Sequence, residues 1–111
     1  MPTDDVEDED LQEIIKLSDI IHTPVRLAIL MFLKPRLNAL FPEIKNTLNL
    51  TSGNLSSHIA KLSKAGFIYV VKKFVDAKPT TELTISPLGE KALEEYAIIL
   101  QKTLNRINEE R

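Results

Sequence analysis

Cysteine is absent from this 111-residue chain, and so is any long apolar run. Without cysteine, disulfides, thiolate metal sensing and cysteine redox switching are excluded. The longest apolar run, LAILMFL at residues 27–33, is far shorter than the roughly 18 residues of a membrane span and is typical of a buried helix. Because the N-terminus, MPTDDVEDEDLQ, is acidic, we expect neither a secretory signal nor a transit peptide. A cytoplasmic protein without a membrane segment is therefore predicted.

Catalytic and metal-binding patterns are lacking as well. No nucleophile, base and orienting group recur at a suitable spacing, and the acidic residues gather near the ends of the chain. The two histidines, His22 and His58, have no second cluster of ligands beside them in the sequence. We predict a protein that is not an enzyme and that holds neither a metal nor a cofactor. The sequence does not indicate whether a small-molecule effector exists.

The composition, with 43% hydrophobic and 27% charged residues, is that of an ordinary globular protein. A chain of this length builds one modest hydrophobic core. No internal repeat or low-complexity linker divides it. We expect a disordered acidic tail at residues 1–9 and a single domain at residues 10–111.

Charge is segregated along the chain, although the net charge is only -2. Residues 1–20 carry -7, residues 23–81 carry +7 and residues 82–111 carry -2. A charged surface usually does no more than solvate the protein. Here the positive charge coincides with a sequence motif described below, which favours a functional role for the charge.

The apolar periodicity and the capping residues predict helices at both ends and in the middle of the chain. The first runs from Asp10 to about Ile21; the second starts at Thr23 and Pro24 and ends at Pro35. After a connection at residues 36–40, a short third helix covers about 41–48. Thr51 caps a fourth helix that runs to about residue 65, where a glycine provides a left-handed end.

Two β-strands follow, because FIYVVKKFV at 67–75 and TELTIS at 81–86 are rich in β-branched and aromatic residues. The turn residues DAKP between them predict a hairpin with Lys78 at its tip. Ser86 and Pro87 then start a last helix that reaches about residue 108, close to 30 Å in length. The predicted fold class is mainly α with a small β-hairpin.

The fourth helix has two contrasting faces. Leu55, Ile59 and Leu62 form one narrow apolar stripe, whereas the opposite face is small, polar and basic. A helix that enters the major groove needs small side chains, short hydrogen-bonding groups and cations for phosphate. Asn54 and Ser57 are the leading candidates for base contacts. The predicted DNA-binding residues are Ser52, Gly53, Asn54, Ser56, Ser57, His58, Lys61 and Lys64 of this helix and Lys72, Lys73 and Lys78 of the hairpin.

Each of these residues also has a plain structural explanation. Serine and asparagine favour helix starts whatever the function of the helix, and this explains any one of them equally well. His58 lies between the two faces, where packing or a phosphate contact is expected rather than metal binding. The argument for DNA therefore depends on the whole surface and not on one side chain.

The segments GNLSSHIAKL, AGFI and KPTTELTISPLGEKAL resemble the small winged-helix regulators of MarR/ArsR type, and the resemblance covers about residues 22–100. It implies a winged helix-turn-helix, with a recognition helix at about 52–65, a wing at about 67–86 and a C-terminal dimerisation helix at about 87–108. It also implies a dimeric transcription regulator that binds double-stranded DNA.

A homodimer has separate support, since the apolar stripe of the last helix exceeds what one small domain covers. The alternative is that this stripe packs only on the chain's own first helix. The predicted interface consists of Leu11, Ile14, Ile15, Leu93, Tyr96, Leu100, Leu104 and Ile107. The alternative function is a protein-interaction module within a transcription complex, whose wing would expose an apolar patch instead of lysines.

Overall fold

The structure, a computed structural model, describes residues 8–109, without the side chains at positions 10, 13, 14 and 16–19. Its helices and strands are α1 (Asp8–Ile21), α2 (Pro24–Arg36), β1 (Asn38–Leu40), α3 (Phe41–Thr47), α4 (Ser52–Lys64), β2 (Ile68–Val75), β3 (Lys78–Ile85) and α5 (Pro87–Glu109). The mainly α fold with a small β-sheet is confirmed. Because α1 begins at Asp8, Asp8 and Glu9 belong to a helix and not to the expected tail; residues 1–7 of that tail lie outside the described residues.

The second helix starts at Pro24 as predicted but continues one residue past Pro35. Proline lacks only its own amide, so one intrahelical bond is lost while the turn around it persists. The Leu37 amide closes the helix by donating to the Leu33 carbonyl oxygen at 2.5 Å. Thr23 has the extended backbone of a cap, yet its side chain caps no backbone amide, and its hydroxyl oxygen accepts from Arg26 instead.

The sheet has three strands in the order β1-β3-β2. Residues 36–40, predicted to be a connection, contain β1, which pairs antiparallel with β3 through Asn38 and Thr84, Ala39 and Leu83, and Leu40 and Glu82. Three residues are too few to show strand alternation, and the pairing partner lies more than forty positions away in the sequence. The sequence pattern therefore missed this strand.

The hairpin is longer and its turn tighter than predicted. Only Asp76 and Ala77 form the turn, with φ of 52° and 63°. Two successive positive φ angles give the turn that matches the right-handed twist of paired strands. Lys78 and Pro79 therefore belong to β3, opposite Val75 and Phe74. Lys78 lies beside the tip and not at it.

The core forms around α2 and receives one face from each neighbouring element. Leu55 and Leu62 of α4 are fully buried and Ile59 nearly so, as the apolar stripe predicted. The completely buried aliphatic residues are Ile29, Leu30, Leu33, Ile44, Leu55, Leu62 and Leu83. The opposite face of α4 consequently lies at the protein surface.

One buried hydroxyl joins the end of α4 to the start of α5. The Ser86 hydroxyl donates to the Gly66 carbonyl oxygen at 2.6 Å and accepts from the Gly89 amide at 2.9 Å. Gly66 has a φ of 82°, and a Cβ on Gly89 would lie 2.2 Å from the Phe67 carbonyl oxygen. These two glycines and this serine therefore fix where α4 ends relative to α5.

Candidate nucleic-acid interface

The polar face of α4 is exposed along its whole length. The Thr51 hydroxyl oxygen accepts from the Asn54 amide at 3.1 Å and so caps the helix. The exposed residues are Ser52, Gly53, Asn54, Ser56, Ser57, Lys61 and Lys64. The structure thus places seven of the eight α4 residues predicted to bind DNA on one accessible surface.

Gly53 packs against none of the residues that the structure describes, since none of their atoms lies within 4 Å of the position that a Cβ would take. Glycine in a helix costs up to about 1 kcal/mol relative to alanine. No contact within the described residues accounts for that cost. The missing side chain instead leaves room for an external surface to approach the backbone at the start of α4.

A groove of about 490 Å³ separates α4 from the hairpin. Its lining includes Ser56, Ala60, Ser63 and Lys64 from α4 and Val70, Lys72 and Thr81 from the hairpin. Lys72 also donates to the Thr81 hydroxyl oxygen at 3.1 Å. Ala60, Ser63, Val70 and Thr81 were not among the predicted site residues, because their membership depends on how the hairpin packs against α4.

The three hairpin lysines do not share a face. Strand alternation places Lys72 with Val70 toward α4, whereas Lys73 and Lys78 lie on the outer face of the sheet. Lys73 Nζ lies 3.2 Å from Glu82 Oε2. The groove therefore receives its positive charge from Lys64 and Lys72, and Lys73 is ion-paired on the other side of the wing.

His58 lies at the boundary of α4 and the core. It is half-buried, and its Nδ1 is 3.4 Å from Nη1 of Arg26. Burial lowers the pKa of His58, and the positive charges of Arg26 and Lys61 lower it further. This histidine therefore packs beside Arg26, and it is the one predicted α4 site residue that the structure does not place on the open face.

Arg26 itself is buried, although the sequence counted it in the cationic segment. Its Nε donates to the Ile20 carbonyl oxygen at 2.6 Å and its Nη2 to the Thr23 hydroxyl at 2.7 Å. Lys34 is also engaged, with Nζ 2.8 Å from Glu94 Oε2. The net positive charge of the segment thus overstates the number of cations that face a partner.

Part of the predicted dimer surface belongs to the chain's own core. Leu93 and Tyr96 are buried there, and the Tyr96 hydroxyl forms a hydrogen bond with Nδ1 of His22 at the end of α1. Burial raises the pKa of Tyr96. The small accessible parts of Leu93 and Tyr96 line the groove between α2 and α5 described next.

The remaining predicted interface residues differ in exposure. Leu11 and Leu100 are half-buried; Ile15, Leu104 and Ile107 are exposed; the side chain of Ile14 lies outside the described residues. A groove of about 470 Å³ between α2 and α5 is lined mainly by apolar side chains, among them Leu27, Met31, Leu100 and Leu104. The outer half of α5 thus presents an apolar surface.

Neither a metal site nor a membrane span emerges from residues 8–109. Among the residues described there, no three histidine, aspartate or glutamate side chains lie close enough to hold a metal ion. None of the helices described is both long and apolar enough to cross a membrane.

Two helices joined by a tight turn, followed by a two-stranded hairpin beside the second helix, define a winged helix-turn-helix. Residues 25–104 match the family model described as a winged helix DNA-binding domain. The chain belongs to this family. The family match confirms the predicted resemblance and supports the prediction that the protein is not an enzyme.

Two relatives are similar to this chain over most of its length. An uncharacterised protein of Methanocaldococcus jannaschii is 34% identical over 87 residues, which cover 78% of this chain and 95% of the relative. The structure of a transcriptional regulator homologue from Pyrococcus horikoshii superposes with a TM-score of 0.83 at 37% identity, over 89% of this chain and 97% of that one.

More distant structures share the fold alone. A mutant MarR of E. coli superposes with a TM-score of 0.66 at 14% identity, over 88% of this chain and 75% of that one. An ArsR family regulator has the same architecture. The fold is therefore that of the MarR and ArsR regulators, as the sequence motifs indicated.

Proposed function

We propose that this chain is a cytoplasmic transcription regulator that binds double-stranded DNA with sequence selectivity as a homodimer. The recognition helix α4 lies in the major groove, and the wing contacts the backbone or the adjacent minor groove. The observation that carries the proposal is the two-sided character of α4. Its apolar stripe is committed to the core, so its small polar face is left for an external partner.

The chemistry of that face suits DNA at two levels. Asn54 pairs with adenine through two hydrogen bonds, and Ser57 bonds several base edges. Lys61, Lys64 and Lys72 neutralise phosphates, which supplies affinity for any sequence and makes it depend on salt. Selectivity and affinity are therefore expected to reside in different side chains.

The homodimer is supported by exposed apolar side chains at both ends of the chain. Ile15 on α1 and Leu104 and Ile107 on α5 are all exposed, and water is a poor partner for each. A second copy would cover them. Two recognition helices related by a twofold axis would lie about 34 Å apart and require a palindromic site.

A protein-interaction module is the second candidate function, because the outer face of the wing is more apolar than the sequence indicated. Tyr69, Val71 and Val75 are exposed there. The lysines of the hairpin do not exclude such a module, since Lys73 and Lys78 lie on this same face beside the apolar residues. The two candidate functions use opposite faces of the wing.

The test is selection of duplexes from a random pool with purified full-length protein, followed by titrations of the recovered duplex at several salt concentrations. We expect enrichment of a palindrome. Lys61→Ala or Lys64→Ala should weaken all duplexes alike and, because each subunit of the dimer loses one phosphate contact, reduce the salt slope by about 2. Asn54→Ala should mainly reduce the preference for the recovered sequence over a scrambled one.

Lys91→Ala is the matched control, since Lys91 is exposed on α5 and outside the α4 face. It should leave both slope and selectivity unchanged. Recovery of no common sequence, together with equal losses for the lysine and asparagine variants, would contradict the proposed reading mode. Binding to duplex that is insensitive to salt would contradict the phosphate contacts.

A further inference from the structure

Phe74 is the most exposed of the large hydrophobic residues described, with 76% of its surface accessible. It lies two residues before the hairpin turn, and Pro79 is its partner across the two strands. The residues predicted to bind DNA did not include Phe74. An exposed aromatic side chain at the end of a projecting hairpin has no core to stabilise.

The register of the hairpin decides which way Phe74 faces. The pairs Ile68–Ile85, Val70–Leu83, Lys72–Thr81 and Phe74–Pro79 share one face of the sheet, because side chains alternate along each strand. Ile68, Leu83 and Ile85 are buried in the core, and Val70 and Lys72 line the groove against α4. Phe74 therefore continues the groove face outward, beyond Lys72.

The strand β2 is long enough to carry Phe74 past the DNA groove in which α4 is proposed to lie. Phe74 is four positions after Val70 along the strand, a distance of about 13 Å at ~3.3 Å per residue. The major groove is about 12 Å wide, and the minor groove begins past the phosphates that bound it. With α4 in the major groove, a strand of this length is sufficient for Lys72 to meet those phosphates and for the tip to extend to the minor groove.

The tip is also rigid, and on the groove face it presents the apolar pair Phe74 and Pro79, whereas Asp76 in the turn and Lys78 on the outer face are charged. Pro79 has a fixed φ and the two-residue turn leaves no slack, so little conformational freedom is lost when the tip is bound. Apolar side chains that enter the minor groove partly unstack a base step, and pyrimidine–purine steps yield most easily. A cation next to such a wedge anchors it on the backbone.

We propose that Phe74, backed by Pro79, is an apolar wedge that enters the minor groove beside the α4 site and reads the deformability of the base step there. This inference rests on the proposed function and extends it. The wing selects sequence through the energy of distorting DNA, and hydrogen bonds to bases are left to α4. Duplexes with a TA or CA step at the wing position are favoured.

The chain contains no tryptophan, so single replacements provide unique fluorescent probes. Phe74→Trp reports the groove face of the tip, and Val75→Trp reports the outer face one residue away. On adding the duplex recovered by selection, we expect the emission of the first probe to shift and to become protected from acrylamide. The second probe should remain accessible.

Affinity measurements form the second arm. Phe74→Ala should weaken binding roughly tenfold without changing the salt slope, because an apolar contact releases no counterions. Phe74→Leu should retain most of the affinity, and Val75→Ala should match the wild type. In a repeated selection, Phe74→Ala should lose the preference for TA or CA steps in the flanks, whereas Val75→Ala should keep it.

Several outcomes overturn the inference. If the wild type binds duplex and the tryptophan at position 74 stays accessible in the complex, the wedge is wrong while the proposed function stands. Equal losses for the alanine variants at 74 and 75 would exclude a face-specific contact. Protection of both probes before DNA is added would assign the tip to self-association. A wild type that binds no duplex overturns the proposed function and this inference together.

Discussion

The guanidinium of Arg26 lies against the imidazole of His58, with 3.4 Å between Nη1 and Nδ1. The same guanidinium holds the carbonyl oxygen of Ile20 at the end of α1 and the hydroxyl of Thr23 at the start of α2. One buried side chain therefore bonds the junction of the first two helices and contacts α4. Its loss would affect both.

Replacing Arg26 by methionine should destabilise the protein by about 2–3 kcal/mol, because charge-assisted hydrogen bonds are lost and their buried acceptors remain unpaired. Urea unfolding followed by circular dichroism measures this. Arg36→Met is the control, since Arg36 is exposed and stacks over the Phe32 ring; it should cost less than about 1 kcal/mol. Equal losses for the two variants would contradict the role assigned to Arg26.

The stability of the protein should decrease in acid through His58. Its pKa lies below the ordinary 6.5 of histidine, so the unfolded chain takes up the proton at a higher pH than the folded one. The contribution of His58 to the free energy of unfolding is therefore fully present above about pH 6.5. It is lost as the pH drops through that value toward the lowered pKa. His58→Gln should show a smaller decline between about pH 7.5 and about pH 5.5. Parallel declines in the two proteins would contradict this prediction.

Gly53→Ala should stabilise the fold and weaken DNA binding. Alanine gains up to about 1 kcal/mol of helix propensity, and no described atom obstructs its methyl group. The same methyl group would lie on the surface proposed to approach DNA, where a loss of about 1 kcal/mol would reduce affinity about fivefold. Thermal unfolding and duplex titration on one preparation check both effects.

Gly89→Ala provides the contrast for Gly53→Ala. Its Cβ would meet the Phe67 carbonyl oxygen at 2.2 Å, so the backbone must shift and stability should fall by about 2–3 kcal/mol. If both alanine variants change stability in the same direction, the steric account of the two glycines is wrong.

Leu104→Glu should convert the proposed dimer to a monomer, because a carboxylate would replace an exposed leucine on the outer half of α5. Sedimentation velocity measures the oligomeric state, and duplex affinity should fall with it since two half-sites are no longer bound together. Asn105→Glu adds the same charge one residue along the helix and should leave the dimer intact. A monomeric wild type would contradict the proposal directly.

Helix boundaries and the two faces of α4 were predictable from the sequence because their signals are local. Thr51 caps α4 and Gly66 follows its end with a positive φ, as their residue types indicate. Leu55 and Leu62 are buried because their spacing matches the helical repeat. These features depend on residues within one or two turns of each other.

Features that depend on distant packing were not predictable. The strand β1 exists through its pairing with β3, and Arg26 is buried because three helix segments converge on it. The position of Phe74 and the placement of Lys72 and Lys73 on opposite faces could have been predicted from the sequence. Alternation counted outward from the buried Ile68 would have separated the two lysines and placed Phe74 with Lys72.

The Ser86 hydroxyl bonds both the Gly66 carbonyl oxygen, just after the end of α4, and the Gly89 amide in the first turn of α5. This hydroxyl therefore couples the tilt of α4, proposed to contact DNA, to that of α5, proposed to pair two subunits. In the proposed twofold assembly, the separation of the two α4 helices would thus depend on the angle at which the C-terminal helices cross. A change of a few degrees in that angle would move the two α4 helices out of register with the half-sites on DNA.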